Sequence, residues 1–342
     1  MEAKLINHVA GYSHSKSENR NPNSTSNSVN ISRQILEILM PYRRLISTAE
    51  CCDVSFCNQC ASHHAGKIQR FIEDQAPITF ALPAFPSKSP NLSKVFSARP
   101  DQAEKMALRF LNRLCQEIGE VYSFGANIIL CSDGRVFSDL IGMQESDVTD
   151  YQEIIAEMIR EDGLDHLTLF SLDEVSHGKS FDEVRAWLLE HFGSSLADFK
   201  ASVVRGGAGS NESSDLEAHR MYCGITRFLV DDMDRTNINM TKNQIQKDCK
   251  TRAAKVIQRS NAWSEFIGEK FPNAVRLSIH PQSCGAKKLG IHLIGTEAWM
   301  TPWHGVLVET DGGFRLMKRW QAEELSAKLI LDHQSRPSHF KL

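Results

Sequence analysis

Apolar runs alternate with amphipathic stripes along the first half of the chain. Residues 77–82 and 126–131 are almost wholly apolar, as strands buried on both faces of a parallel sheet are. The helical spacing of apolar residues predicts helices over 31–40, 101–119 and 147–161. A strand is expected over 166–172, and the Ser180–Glu183 capping box begins another helix. This alternation indicates an α/β fold.

The second half of the chain has a different pattern. Two long helices are predicted over 215–233 and 241–271, and four strands follow over 274–280, 287–295, 305–310 and 314–318. The last two strands are joined by Asp311-Gly312-Gly313, a typical hairpin turn. We therefore expect a mixed sheet flanked by helices, with a C-terminal β-meander or hairpin.

The first thirty residues contain little that a protein core can use. Residues 11–30 are rich in Ser and Asn, which predicts a disordered leader over 1–30 and one folded domain over 31–342. No segment has the apolar length of a signal peptide or a membrane-spanning helix, so we expect a cytoplasmic protein.

Composition narrows the class of partner. The 342 residues are 41% hydrophobic and 24% charged, with a formal net charge of -3. Such a chain is neither disordered nor fibrous, and its charge gives no general attraction to nucleic acid or to a membrane surface. We therefore expect small-molecule substrates, bound by local groups.

Nine cysteines are present, and one group of them is clustered. Cys51, Cys52, Cys57 and Cys60 lie close to His63 and His64, and Cys-x2-Cys is a common half of a zinc site. A second half at longer separation is missing from this segment. The zinc-ligand candidates are Cys57, Cys60 and His63, and the alternative is a loop of reduced, partly buried side chains. We expect no metal in the catalytic site.

Polar residues follow the two early strands. Ser132 and Asp133 come directly after the strand 126–131, and Lys88 and Ser89 follow the strand 77–82. In open α/β sheets, ligands bind outside the carboxyl ends of the strands. These four residues are therefore site candidates, although a plain Asp-Gly turn has the same appearance. Two residues are weaker candidates. Arg227 lies on a predicted helix, and His304 follows the aromatic Trp303 in the segment TPWHG.

Two later strands carry polar residues with a period of two. Arg276, Ser278 and His280 share one face of the first strand, and Lys288, Gly290 and His292 share one face of the second. If the strands pair, one face gathers cations and histidines without a carboxylate, and Gly290 leaves room for a ligand. This is the composition of a phosphate pocket with an acid/base group, whereas the alternative is a solvated outer face.

Three ordered motifs resemble one known family. They are ITFALPAFPSKSPNLSKVFSARPDQAE from residue 78, NIILCSDGRVFSDLIG from residue 127, and VRLSIHPQ, KKLGIHLI and TPWHGV between residues 275 and 306. Together they resemble the isonitrile (isocyanide) synthases associated with pyoverdine-cluster and dityrosine biosynthesis proteins. Phe96 and Ser97 depart from the Leu-Gly that is usual there, and Met143 replaces a common Val.

The resemblance implies a Rossmann-like, cofactor-independent synthase. Such an enzyme converts the α-amine of tyrosine or tryptophan into an isonitrile, with ribulose 5-phosphate as carbon donor. The next enzyme of the pathway in this family is commonly an iron and 2-oxoglutarate dependent oxygenase.

Roles for the residues follow as hypotheses from this implied chemistry. Arg276 and Lys288 bind the phosphate with Lys88 as a third donor, and His280 moves protons. Asp133 holds the amine or a sugar hydroxyl. Contacts to substrate are also assigned to the remaining members of the set, which are Ser132, Ser278, Arg227, His292 and Ser89.

Two other functions fit the same residues. A sugar-phosphate transferase or isomerase would use the same cationic face, and a non-catalytic binding module stabilised by zinc would use the cysteine cluster.

Overall fold

The computed structural model describes residues 22–46, 52, 56–233, 240–294 and 300–342. The strands are β1 (Ile78–Pro83), β2 (Ala126–Cys131), β3 (Leu167–Phe170), β4 (Val275–Ser278), β5 (Leu289–Gly290), β6 (Val306–Thr310), β7 (Gly313–Met317), β8 (Lys328–Leu331) and β9 (Pro337–Lys341). The helices are α1 (Pro22–Leu39), α2 (Asn58–Glu73), α3 (Gln102–Val121), α4 (Gly134–Ile141), α5 (Glu145–Glu161), α6 (Asp173–Ser176), α7 (Phe181–Phe192), α8 (Leu196–Gly207), α9 (Ser213–Asp232), α10 (Lys242–Lys270) and α11 (Arg319–Glu324).

The central sheet has the strand order β3-β2-β1-β4-β5, and every pair in it is parallel. The chain therefore builds outward from β1 in one direction through β2 and β3, and then returns to the other side of β1 with β4. This reversal creates a switch point between β1 and β4. In open α/β sheets the loops after two such strands separate, and ligands bind in the crevice between them. The Rossmann-like α/β class is confirmed.

The two faces of the central sheet pack against different helices. Ile78, Phe80 and Leu82 of β1 join a core that also contains residues of α1, α2 and α3. Ala81 of β1 and Cys131 of β2 lie on the other face, where Trp263 and Phe266 of α10 pack. Burial on both faces explains why β1 and β2 are almost wholly apolar.

A second sheet follows, with the order β7-β6-β9-β8. The predicted hairpin is confirmed, because β6 and β7 are antiparallel neighbours joined at Thr310 and Gly313. The mixed pairing lies in this sheet, since β9 runs parallel to β6 and antiparallel to β8. Strands β4 and β5 belong to the central sheet and not to this second one.

The structure also differs from the predictions in the lengths of some helices and strands and in elements that were not predicted. Helix α1 begins at Pro22, so the predicted leader is helical from that residue onward, and residues 1–21 lie outside the described part of the chain. Strands β4 and β5 are shorter than predicted, and after Gly290 the chain pairs with the segment that follows α1, through Ile291 and Arg43. Helix α8 and strands β8 and β9 were not predicted. Within the described ranges, no helix is long and apolar enough to cross a membrane.

Candidate active site

Three chain segments meet where β1, β2 and β4 end. Ser132, at the end of β2, donates a 2.8 Å hydrogen bond from Oγ to the carbonyl of Phe85, in the loop after β1. The segment around Trp303 closes over the same loop, because Ser89 N donates to the Trp303 carbonyl at 2.8 Å and the two rings of Phe85 and Trp303 lie 5.2 Å apart. Phe85 adopts a φ of 58°, an uncommon value for a non-glycine residue. The crevice at the switch point is thus built by a tightly tied loop.

Asp133 is placed at the start of α4 but does not cap it. It occupies the N-cap position without a side-chain hydrogen bond to the helix, and its Oδ1 atom is buried with no partner among the described residues. Burial raises the pKa of Asp133 to about 7. A carboxyl group with this pKa is half-protonated at neutral pH, so it can both accept and donate a proton.

His280 lies two residues after the end of β4. The residue is exposed, yet desolvation by surrounding protein, together with the cations Arg44 and Lys288, lowers the pKa of its imidazole to about 4. At neutral pH the ring is therefore uncharged and available as a base.

Arg276 and Lys288 converge on one serine of α10. Arg276 donates to the carbonyl of Ser264 at 3.1 Å, and Lys288 Nζ donates to Ser264 Oγ at 2.7 Å. Burial lowers the pKa of both cations, and Arg276 lowers the pKa of Lys288 further. Glu265 opposes the shift at both cations, and Cys131 opposes it at Arg276. Neither forms an ion pair within 4 Å in the described part of the chain, and the Arg276 Nε atom is buried without a partner there. The predicted pairing of the two strands is confirmed, with Leu277 opposite Leu289.

Lys88 lies in a different environment from the one predicted. Its fully buried Nζ is 2.8 Å from Asp101 and 2.9 Å from Glu104, and it donates to the Pro302 carbonyl at 3.1 Å. Burial alone would lower the pKa of Lys88, but the two carboxylates outweigh it and raise the pKa. Burial also raises the pKa of Glu104 to about 7, against the opposing effect of Lys88. These contacts occupy the ammonium group, so its assignment as a phosphate donor is not supported by the geometry.

Ser89 belongs to a second buried cluster. Its Oγ donates to Asp232 Oδ1 at 2.6 Å, and Lys94 Nζ reaches the same oxygen at 2.6 Å. His304 Nε2 lies 3.8 Å from the other Asp232 oxygen, while its Nδ1 is 2.8 Å from Thr301 Oγ1. Burial lowers the pKa of His304 to about 4 although Asp232 opposes the shift.

These groups interact electrostatically in a closed series. Asp133 and Glu104 both act on Tyr151, and Lys88 acts on Glu104. Lys88 and His280 act on His304, and Lys288 acts on His280. Arg276 acts on Lys288, and the series closes because Arg276 and Asp133 both act on Cys131. The charges of candidates from β1, β2, β4 and β5 therefore influence one another through the residues between them.

The other predicted residues have supporting or separate positions. Ser278 Oγ accepts hydrogen bonds from the His280 backbone at 3.1 Å and from Gln282 at 3.2 Å, so it shapes the turn that carries His280. The half-buried His292 donates its backbone N–H to the Tyr42 carbonyl at 2.9 Å. Arg227 is exposed, and its described contact is to the Cys223 carbonyl of its own helix. The structure does not bring Arg227 to the crevice.

Gly290 does not leave room for a ligand. A Cβ atom at this position would lie 2.4 Å from the carbonyl oxygen of Arg44. The segment after α1 occupies the space, since Arg43 pairs with Ile291 and Leu45 pairs with Gln282. The glycine is needed because another part of the backbone passes there.

The cysteine cluster differs from the predicted set. The sulfur atoms of Cys52, Cys57, Cys60 and Cys284 all lie within 4.8 Å of one another. His63 is exposed on α2 and is not part of this cluster, and Cys51 lies outside the described residues. The alternative of a loop is wrong for Cys60, which lies in the first turn of α2, whereas Cys57 caps that helix from outside, and both thiols are free and buried.

Several site residues were not predicted from the sequence. The sequence does not indicate Glu104 as a site residue, because Asp101 and Glu104 have the spacing of an ordinary capping box. The two residues do form that capping box at the start of α3. Asp232 ends a long helix, where acidic residues are unremarkable. Cys284 lies in the predicted turn between two strands that carry histidines, and this position was the available signal.

Comparison with known proteins identifies the family of the chain. A family model described as pyoverdine/dityrosine biosynthesis protein matches residues 68–330. The chain is 43% identical to an L-tryptophan isonitrile synthase of Fischerella ambigua and 42% identical to an L-tyrosine isonitrile synthase of Xenorhabdus nematophila, in both cases over 91% of each chain. The crystal structure of the PvcA protein of Pseudomonas aeruginosa matches with a TM-score of 0.83 and 38% identity, covering 91% of this chain and 99% of that one.

A parallel α/β sheet with acid/base and cationic groups at its switch point defines an enzyme of the Rossmann-like class. The chain belongs to the pyoverdine/dityrosine biosynthesis family. It is an isonitrile synthase, which confirms the resemblance seen in its motifs.

Proposed function

We propose that the enzyme converts the α-amino group of an aromatic L-amino acid, tryptophan or tyrosine, into an isonitrile with ribulose 5-phosphate as carbon donor. One observation carries this proposal: Arg276 and Lys288 converge on Ser264 with no ion pair within 4 Å among the described residues, and the charge of Lys288 acts on an uncharged His280. A half-protonated Asp133 follows β2 of the same sheet. An anionic sugar phosphate needs the cations, and its reaction with an amine needs groups that exchange protons.

The reaction begins with addition of the amine to the ketone carbon of the sugar phosphate. Loss of water then gives an imine, and enolisation, phosphate loss and fragmentation of the sugar chain leave one carbon on nitrogen. We assign removal of the ammonium proton to Asp133, because its pKa of about 7 suits proton exchange at neutral pH. The same proton assists loss of water.

His280 is assigned the proton transfers of imine formation and enolisation. Its lowered pKa keeps the ring neutral before substrate binds. A phosphate bound at Lys288 would offset the nearby positive charge and raise the pKa of His280, which makes the ring a stronger base when substrate is present. Arg276 and Lys288 are assigned to the phosphate, and Ser132, Ser278 and His292 to the shape of the crevice around it.

Glu104 and Tyr151 support the site without meeting the phosphate. The Tyr151 hydroxyl donates to Glu104 Oε1 at 3.3 Å, and Glu104 pairs with Lys88. We infer that this buried network fixes the loop after β1 and thereby the wall of the crevice. Ser89 has the same function through Asp232.

Mass spectrometry of a defined reaction tests the proposal. Purified enzyme is incubated with ribulose 5-phosphate and either tryptophan or tyrosine, and the expected product has gained one carbon on nitrogen. His280→Asn is expected to abolish product, whereas the control His333→Asn, at an exposed residue between β8 and β9, is expected to keep it. Full activity of His280→Asn would overturn the assignment.

Outcomes of the same reaction distinguish the other functions. Conversion of ribulose 5-phosphate in the absence of an amino acid would indicate a sugar-phosphate isomerase or transferase. A product from one amino acid names the substrate. We also infer that the product passes to an iron and 2-oxoglutarate dependent oxygenase, as the resemblance implies, and adding such an enzyme to the reaction tests that step.

A further inference from the structure

Four cysteine thiols from three separate segments meet behind the candidate active site. Cys52 precedes α2, Cys57 and Cys60 begin it, and Cys284 lies in the connection between β4 and β5. The pairs Cys52–Cys57, Cys52–Cys60, Cys57–Cys284 and Cys60–Cys284 have Sγ–Sγ distances of 3.9, 3.7, 3.7 and 3.5 Å. Cys60 and Cys284 are 224 residues apart in the chain, so the fold creates this cluster.

The sulfur–sulfur distances exclude disulfide bonds and match a tetrahedral metal site. A disulfide has a sulfur–sulfur distance of about 2.05 Å, which is far shorter than any of these separations. Four sulfurs at about 2.3 Å from a central zinc ion form a tetrahedron with edges of about 3.8 Å. Four of the six edges measure 3.5 to 3.9 Å and the other two are no longer than 4.8 Å, which suits a tetrahedral four-sulfur metal site.

The backbone around the sulfurs also suits a metal site. Cys57 and Cys60 form a Cys-x2-Cys unit, and the Cys60 N–H donates to Cys57 Sγ at 3.4 Å. The backbone of Gly285 forms a hydrogen bond with Cys60 Sγ, and Gly285 has a φ of 76° that suits a tight turn after Cys284. N–H donors to sulfur stabilise the charge of metal-bound thiolates.

We propose that Cys52, Cys57, Cys60 and Cys284 bind one zinc ion in a closed tetrahedral site. Four sulfur ligands leave no open position for water or substrate, so the ion is structural. Binding releases the protons of the thiols, and the ion joins the start of α2 to the β4–β5 connection. This proposal does not depend on the proposed reaction.

The site has a consequence for the catalytic groups. Residues 279–288 carry His280 at one end and Lys288 at the other, with Cys284 between them. Fixing Cys284 to α2 restricts the loop on which both residues depend. The zinc ion would therefore be a positioning element for the phosphate and proton-transfer groups, and this last step rests on the proposed function.

Metal analysis of the full-length protein tests the site. We expect about one zinc ion per chain after dialysis against metal-free buffer. Cys60→Ser and Cys284→Ser are expected to lose the ion, and the control Cys223→Ser, at a half-buried cysteine beside His219, is expected to keep it. A wild-type protein without stoichiometric metal, or one that contains iron at this site, would overturn the zinc assignment.

X-ray absorption of the wild-type protein keeps the test decisive if the serine variants do not fold. The expected spectrum has four sulfur neighbours of zinc at about 2.3 Å. Replacement of zinc by cobalt should produce the intense visible bands of tetrahedral cobalt thiolates. Nitrogen or oxygen neighbours in place of sulfur would show that zinc binds elsewhere and would contradict the proposal.

Discussion

Lys88 and Glu104 form an ion pair of 2.9 Å in which both side chains are fully buried. The ammonium group also faces Asp101, so one cation neutralises part of a cluster with two carboxyl groups. Removal of the cation leaves the carboxyl groups buried without their counter-charge. Lys88→Met is therefore expected to reduce the free energy of unfolding by about 3–5 kcal/mol.

Denaturant unfolding measures this change. The matched control is Lys105→Met, because Lys105 pairs with Asp162 at 3.0 Å but keeps 28% of its side chain exposed. A partly exposed pair contributes about 0–1 kcal/mol, and Asp162 keeps a second cation, Arg109 at 2.7 Å, so the control should unfold almost as the wild type does. Equal losses in the two variants would contradict the structural importance of the buried pair.

The first residue of α4 must be glycine because the loop after β1 passes over it. A Cβ atom at Gly134 would lie 2.0 Å from the Pro86 carbonyl oxygen and 2.8 Å from Val148. Gly134→Ala is expected to destabilise the fold by about 3 kcal/mol and to reduce turnover, because the displaced segment carries Asp133. Thermal unfolding and product formation measure the two effects.

Gly119 provides the control for that substitution. It lies within α3, and a Cβ atom there meets nothing within 4 Å. Gly119→Ala is expected to raise stability by about 0.5–1 kcal/mol, since alanine loses less backbone entropy in a helix. If Gly134→Ala were as stable as Gly119→Ala, the close passage of the two loops would be wrong.

Arg276 and Lys288 are expected to affect one substrate more than the other. Arg276→Ala and Lys288→Ala should raise the KM for ribulose 5-phosphate by about tenfold to a hundredfold, because each removes a charge-assisted contact to the phosphate. The KM for the amino acid should change little. Steady-state kinetics with each substrate varied in turn provides the measurement.

The neighbouring lysine separates a specific effect from loss of charge. Lys287 is exposed beside Lys288, and Lys287→Ala removes the same charge from the same loop. We expect its KM values to equal those of the wild type. A similar increase for both substrates in Lys288→Ala would indicate a damaged crevice and not a lost phosphate contact.

The period-two pattern was the most informative sequence signal for the site. It correctly grouped Arg276 with Lys288, because alternation along a strand depends only on backbone geometry. The same pattern could not show that Gly290 faces the backbone of Arg44, since that contact joins segments far apart in sequence. Pairing across the sheet was predictable, whereas the packing of a remote segment on it was not.

The contrast between apolar and polar positions along a strand also explains which strands the sequence predicts. Strands β1 and β2 are buried on both faces and were clear from their apolar runs. Strands β8 and β9 are largely exposed, so they lack the contrast that reveals a strand. The sequence predicts only part of the cysteine cluster, for a related reason. Cys57 and Cys60 are close in sequence, but Cys284 joins them only after the central sheet has formed.

Asp133 is expected to lower the free energy of unfolding at neutral pH, although the proposed reaction needs its carboxyl group. Burial raises its pKa from 3.8 in the unfolded chain to about 7 in the folded protein. Between these pH values the folded state holds a proton that the unfolded state has lost, so this group makes the protein less stable as pH rises from about 4 to 7. Above pH 7 Asp133 is ionised in both the folded and the unfolded protein, so the loss of stability no longer changes with pH.

Asp133→Asn removes that titration and keeps the shape of the side chain. We expect the variant to be more stable than the wild type by a few kcal/mol at pH 8, with the difference shrinking towards zero near pH 4. Denaturant unfolding across this pH range measures the difference. Product formation should fall sharply in the same variant, and the limb of the wild-type kcat/KM profile near pH 7 should disappear. A variant that is active and has an unchanged profile would show that Asp133 does not exchange protons with the substrate.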